Sequence, residues 1–95
     1  MSSIGDHEPI DELPAEARDM HRALVSLIEE LAAVDLYNQR AVVCQDSALK
    51  AIIEHNRDEE KEHAAMLLEW IRRNDEQFSG RIRNWLFTET ALAHR

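Results

Sequence analysis

The sequence holds 95 residues, which sets a single domain (1–95) as the limit. Leu, Ala, Glu and Arg are abundant while Gly and Pro number two each, the balance of a helix-rich chain. The formal net charge of −8 opposes binding to nucleic acid or anionic lipid, and no run approaches the ~18 to 20 apolar residues of a membrane span. Cys44 is the sole cysteine, which excludes a disulfide framework and fits a reducing, cytoplasmic compartment. The acidic, polar N-terminus does not read as a secretory signal.

Residues 1–12 read as a polar, flexible lead. Pro14 suits a first helical turn, with Glu12 and Glu16 near the positive end of the dipole. A first helix is expected over 13–44, carried by Leu24, Leu27, Ile28, Leu31 and Val34 at helical spacing. Gln45-Asp46-Ser47 breaks it, and Asp46 or Ser47 can cap a second helix over 47–75. Its apolar members are Ile52, Ile53, Leu67, Leu68, Trp70 and Ile71. Phe78-Ser79-Gly80 reads as a stop. A short amphipathic helix over 81–90 follows, with Ile82, Trp85, Leu86 and Phe87. The expected fold is all-α: an antiparallel two-helix hairpin plus a short C-terminal helix. Two helices alone bury one face each, a poor core, so the hairpin reads as half of a larger assembly.

One stripe of the first helix runs Ala23, Leu27, Glu30, Val34, Tyr37, Ala41, apolar or aromatic except at Glu30. The stripe assigned to the second helix runs Ile53, Asn56, Glu60, His63, Leu67, Trp70, polar in its middle. That middle lies in RDEEKEHAAM (Arg57 to Met66). A carboxylate on a buried stripe costs several kcal/mol unless it is paired, hydrated or bound to a cation. Glu60 and His63 are an i, i+3 pair on one face. If the turn centres near Gln45, Glu30 sits level with Glu60, so a carboxylate on one helix faces E-x-x-H on the next.

Ferritin-like di-iron sites take a Glu from each of two helices and an E-x-x-H from each of two others. One chain supplies one of each. Two chains about a two-fold axis would supply four Glu and two His, whose carboxylates balance two divalent ions. Mixed carboxylate and imidazole ligation suits iron, manganese or zinc better than magnesium or calcium. In the alternative arrangement Glu30, Glu60 and His63 point to solvent, and the core uses Ile28, Leu31, Ile52 and Leu68. A second alternative, for function, is a non-enzymatic helical-hairpin oligomerisation module stabilised by structural zinc or calcium, with Trp70, Trp85, Leu86 and Phe87 as contact residues.

NRDEEKEHAAM (Asn56 to Met66), LEWIRRND (Leu68 to Asp75) and HRALVSLIEELAAVDLYNQR (His21 to Arg40) resemble the encapsulated ferritins of encapsulin nanocompartments. The resemblance continues through RNWLFTE (Arg83 to Glu89) and spans about residues 7 to 89. It implies a ferroxidase that oxidises Fe²⁺ with O₂ at two irons shared across a dimer, a ferritin-like four-helix bundle. It further implies a decameric ring and an encapsulin shell as partner, with the protein inside that shell in the cytoplasm. Carried over by position, the ferroxidase ligands are Glu30, Glu60 and His63, with Tyr37 beside the centre. Glu29 matches one carboxylate of the family's metal-access site, where Ala32 and Leu36 replace the usual Glu and Trp, so a weaker site is expected there. His55, Glu59 and Glu62 resemble an outer metal site, although a solvated helix face explains them as well. Calcium or zinc could occupy such secondary positions. Family members often carry a C-terminal peptide that docks to the shell; ALAHR (Ala91 to Arg95) does not match one, so the shell partner is expected from resemblance alone.

Overall fold

A computed structural model describes residues 7–93. Those residues form a 3-10 turn (Ile10–Glu12) and three α-helices: α1 (Ala15–Val43), α2 (Ser47–Asn74) and α3 (Glu76–Trp85). Part of the expected lead is therefore ordered, while residues 1–6 lie outside the described residues.

Pro14 precedes α1, as its fixed φ favours, and the Arg18 side chain turns back to donate from Nε to the Leu13 carbonyl at 2.9 Å. With no Gly or Pro inside it, α1 continues for 29 residues, about 43 Å at 1.5 Å per residue. The chain turns over three residues, and Asp46 restarts it: its Oδ2 accepts from the Leu49 amide at 2.8 Å. So short a link makes α1 and α2 antiparallel neighbours.

The core of this hairpin is thin. Ala23 and Ala41 of α1 and Ala64 and Ile71 of α2 are its buried apolar residues among those described, and Ile71 alone is fully enclosed. The α1 stripe named from sequence is the inward one: every member from Ala23 to Ala41 is buried or half-buried. On α2 the stripe needs correcting. The inward residues are Ile53, Arg57, Glu60, Ala64, Leu67 and Ile71, whereas Asn56, His63 and Trp70 are exposed. Both lines pass through Glu60, and periodicity could not choose between the polar neighbours Asn56 and Arg57. Of the alternative core, Leu68 is half-buried, while Ile28, Leu31 and Ile52 are 41%, 54% and 57% exposed in the single chain.

The last helix begins earlier than its sequence suggests. Gly80 reads as a stop, yet it lies inside α3 and its φ is not positive. The break falls at Asp75, whose extended backbone (φ −143°, ψ 104°) ends α2 and whose Oδ1 accepts from the Phe78 amide at 2.9 Å. Arg72 locks the elbow. It grips Glu69 through two bonds of 2.8 Å and donates to the hydroxyl of the buried Ser79 at 3.2 Å. Arg73 adds a third bond to Glu69 at 2.7 Å. The molecule measures 48 × 39 × 24 Å.

Candidate metal centre

Glu30 projects from the middle of α1 and meets Glu60 and His63 from the middle of α2. One ligand atom from each lies within 4.8 Å of the others. The His63 Nδ1 is 2.9 Å from Glu60 Oε1 and 3.5 Å from Glu30 Oε2. The first is a hydrogen bond that the i, i+3 spacing makes possible; the second is a longer cross-helix approach.

The electrostatics are those of a site short of positive charge. Burial, followed by the neighbouring Glu60 carboxylate, raises the Glu30 carboxyl above its ordinary value. The hydrogen bond to Glu60 raises the His63 imidazole, and Glu30 adds to the effect. Glu30 Oε2 is a buried atom with no hydrogen-bond partner. A cation between the carboxylates would satisfy that atom and offset their repulsion. Two carboxylates and one imidazole suit a first-row transition metal, and three donors leave part of its coordination shell open. The open side is the His63 flank: the His63 side chain is 50% exposed, against 24% for both Glu30 and Glu60.

Tyr37 lies two turns beyond Glu30 on the inward stripe, half-buried, with the Arg40 guanidinium 5.8 Å from its ring centre. Glu29, His55, Glu59 and Glu62 are exposed. Among the described residues they do not gather into a cluster of three ligands; Glu30, Glu60 and His63 do. Sequence reasoning missed the partners around this trio. Arg57 crosses to α1, donating from Nη1 to Asn38 Oδ1 at 3.3 Å, and the polarity of NRD (Asn56 to Asp58) gave no sign of that inward turn.

Comparison with known proteins places the chain in a family. A family model described as EncFtn-like matches residues 5–89. The "Encapsulated ferritin-like protein" of Rhodospirillum rubrum is 56% identical over 88 residues, covering 93% of this chain and 63% of that protein. The "Ferritin-like protein" of Thermotoga maritima is 54% identical over 86 residues, covering 90% of this chain and 75% of that protein. The crystal structure of protein ne0167 from Nitrosomonas europaea has a TM-score of 0.92 and 63% identity, covering 95% of this chain and 99% of that one. The chain thus spans somewhat less than two thirds of the Rhodospirillum relative. A helical hairpin with a carboxylate opposite E-x-x-H, matched over nearly its whole length, belongs to the EncFtn-like family, and its fold is the all-helical, ferritin-like one.

Proposed function

We propose that the protein is a ferroxidase whose substrate irons sit between two copies of the chain. Each copy contributes Glu30, Glu60 and His63, so the dimer offers four carboxylates and two imidazoles to two Fe²⁺ ions. Glu30 Oε2, buried and without a hydrogen-bond partner beyond the 3.5 Å approach of His63 Nδ1, carries this reading, because a cation there would satisfy it.

The residues have distinct tasks. Glu30 and Glu60 supply negative charge, and Glu30, whose carboxyl is raised by burial and by Glu60, binds metal as the carboxylate. His63 exchanges its hydrogen bond to Glu60 for a metal bond, which fixes the neutral ring as ligand. Two ferrous ions held together would each give one electron to O₂, reducing it by two electrons to the peroxide level with two protons taken up from solvent, and the iron then leaves as ferric ion. Tyr37 stands on the same stripe, where its hydroxyl can act on a ligand or on the bound irons. A hairpin dimer encloses no storage cavity, so the oxidised iron is handed to a surrounding encapsulin shell, as the name of the Rhodospirillum relative suggests.

Apolar surface supports the second copy. On α2, Ile52, Met66 and Trp70 are 57%, 63% and 39% exposed and share a stripe with His63. On the outer face of α1, Leu24, Ile28 and Leu31 form another exposed stripe. Two such surfaces allow a dimer to build a ring such as the decamer. Glu29 would serve as a weaker secondary site, whereas His55, Glu59 and Glu62 fit a solvated helix face better than an outer site; calcium or zinc would serve as probes of both.

The decisive assay is the initial rate of Fe²⁺ oxidation under air. Glu60→Ala should reduce it at least tenfold toward the protein-free rate. A wild-type rate in that variant would contradict the proposal and leave a structural oligomerisation module.

A further inference from the structure

The proposed site depends on register. A metal-binding trio must be held within about 0.5 Å of its working geometry, whereas a slip of one residue along a helix moves a ligand by about 1.5 Å and rotates it by about 100°. Packing alone is a weak ruler here, because three of the four buried apolar residues of the hairpin are alanines. Small, shallow side chains fill space without interlocking deeply, and polar contacts at an interface are well suited to fixing register.

Arg57 is placed to do this. It lies on the inward stripe of α2, with its side chain only 22% exposed. Its Nη1 donates to Asn38 Oδ1 on α1 at 3.3 Å, and its Nε donates to Asp58 Oδ1 at 3.0 Å. Asp58 thus aims the guanidinium while Asn38 receives it across the helix pair. Arg57 and His63 lie three residues to either side of Glu60 and so fall on opposite flanks of it. The contact holds one flank of the hairpin while the other stays open for metal and a second chain. We propose that Arg57, latched to Asn38, is a positioning residue setting the register at which Glu30 meets Glu60 and His63. The inference rests on reading that trio as a metal site.

The test uses the full chain and Co²⁺, whose visible absorption reports both occupancy and ligand geometry. Arg57→Met, Asn38→Ala and their double variant are titrated beside wild type and Glu60→Ala, with helicity and thermal midpoint measured on the metal-free proteins. The latch predicts about tenfold weaker Co²⁺ binding and an altered cobalt spectrum in both single variants, with helicity kept. It also predicts a double variant no weaker than Arg57→Met, and partial recovery in Arg57→Lys, which keeps a donor. Wild-type affinity and spectrum in Asn38→Ala would overturn the latch even if Arg57→Met failed to fold. Loss of binding only in proportion to lost helicity would overturn it too, as a purely structural effect. Equal Co²⁺ binding by wild type and Glu60→Ala would overturn the metal site itself, and the latch with it.

Discussion

Glu30 and His63 respond to pH in the same direction, and a bound metal should reverse that response. Both hold a proton more firmly in the folded chain than in the unfolded one, Glu30 through burial and Glu60, His63 through its bond to Glu60. Their contribution to metal-free stability is complete below the unfolded values of 4.5 and 6.5 and is lost as pH rises through the raised ones. Metal binding needs both groups deprotonated, so affinity should climb over the same interval. Melting curves from about pH 5 to about pH 8, with and without Zn²⁺, should slope in opposite senses. Parallel slopes would contradict the assignment. Glu30→Gln provides a separate check, since it removes the charge and keeps the shape. It should raise the metal-free midpoint, by roughly 4 to 8 °C if the relief is about 1 kcal/mol, and abolish Fe²⁺ binding. The convergence of Glu30, Glu60 and His63 was legible because both helices are unbroken and the turn is short, which lets position in the chain stand for height along the hairpin. The inward turn of Arg57 was not, because hydropathy reads a charged residue as outward unless its partner is known.

At the scale of the element, aspartates punctuate the chain. Asp46 and Asp75 each cap a helix through the amide three residues on. Removing the Asp75 side chain should cost about 1 kcal/mol and fray α3, which chemical denaturation with tryptophan emission would detect. Gly80 is the reverse case. A Cβ built there meets nothing within 4 Å, and the residue sits in a helix. Gly80→Ala should therefore stabilise α3 by roughly 0.5 to 1 kcal/mol. An early start for α3 could have been found in NDEQF (Asn74 to Phe78), where an aspartate followed by glutamate marks a helix beginning more strongly than one glycine marks an end. The elbow also has its own acid limit. Arg72, and then Arg73, hold the Glu69 carboxyl down at about 2. Its contribution is present above the ordinary 4.5 and is lost only as pH falls toward that lower value.

The whole molecule looks unfinished in isolation. Among the described residues only four apolar side chains are buried, while two exposed apolar stripes run along α1 and α2, one of them beside the open flank of His63. Under the proposed dimer the hairpin would gain stability by association, and a metal shared between copies would link dimer strength to metal affinity. The sequence revealed the incompleteness through the shortage of core, but not which apolar residues face outward, because Ile28, Leu31 and Ile52 fit a helical stripe as well as buried residues do. Ile52→Glu, about three turns from His63 on the same stripe, should dissociate the pair and weaken Fe²⁺ binding without touching a ligand, as size-exclusion chromatography and anaerobic titration would record.

The central claim, two irons shared by two chains, is tested most directly by native mass spectrometry before and after anaerobic loading with Fe²⁺. The account predicts an even-numbered oligomer that saturates at two irons per pair of chains, with the Glu60→Ala protein taking up none at that site. A wild-type oligomer whose mass does not change on iron loading would contradict it.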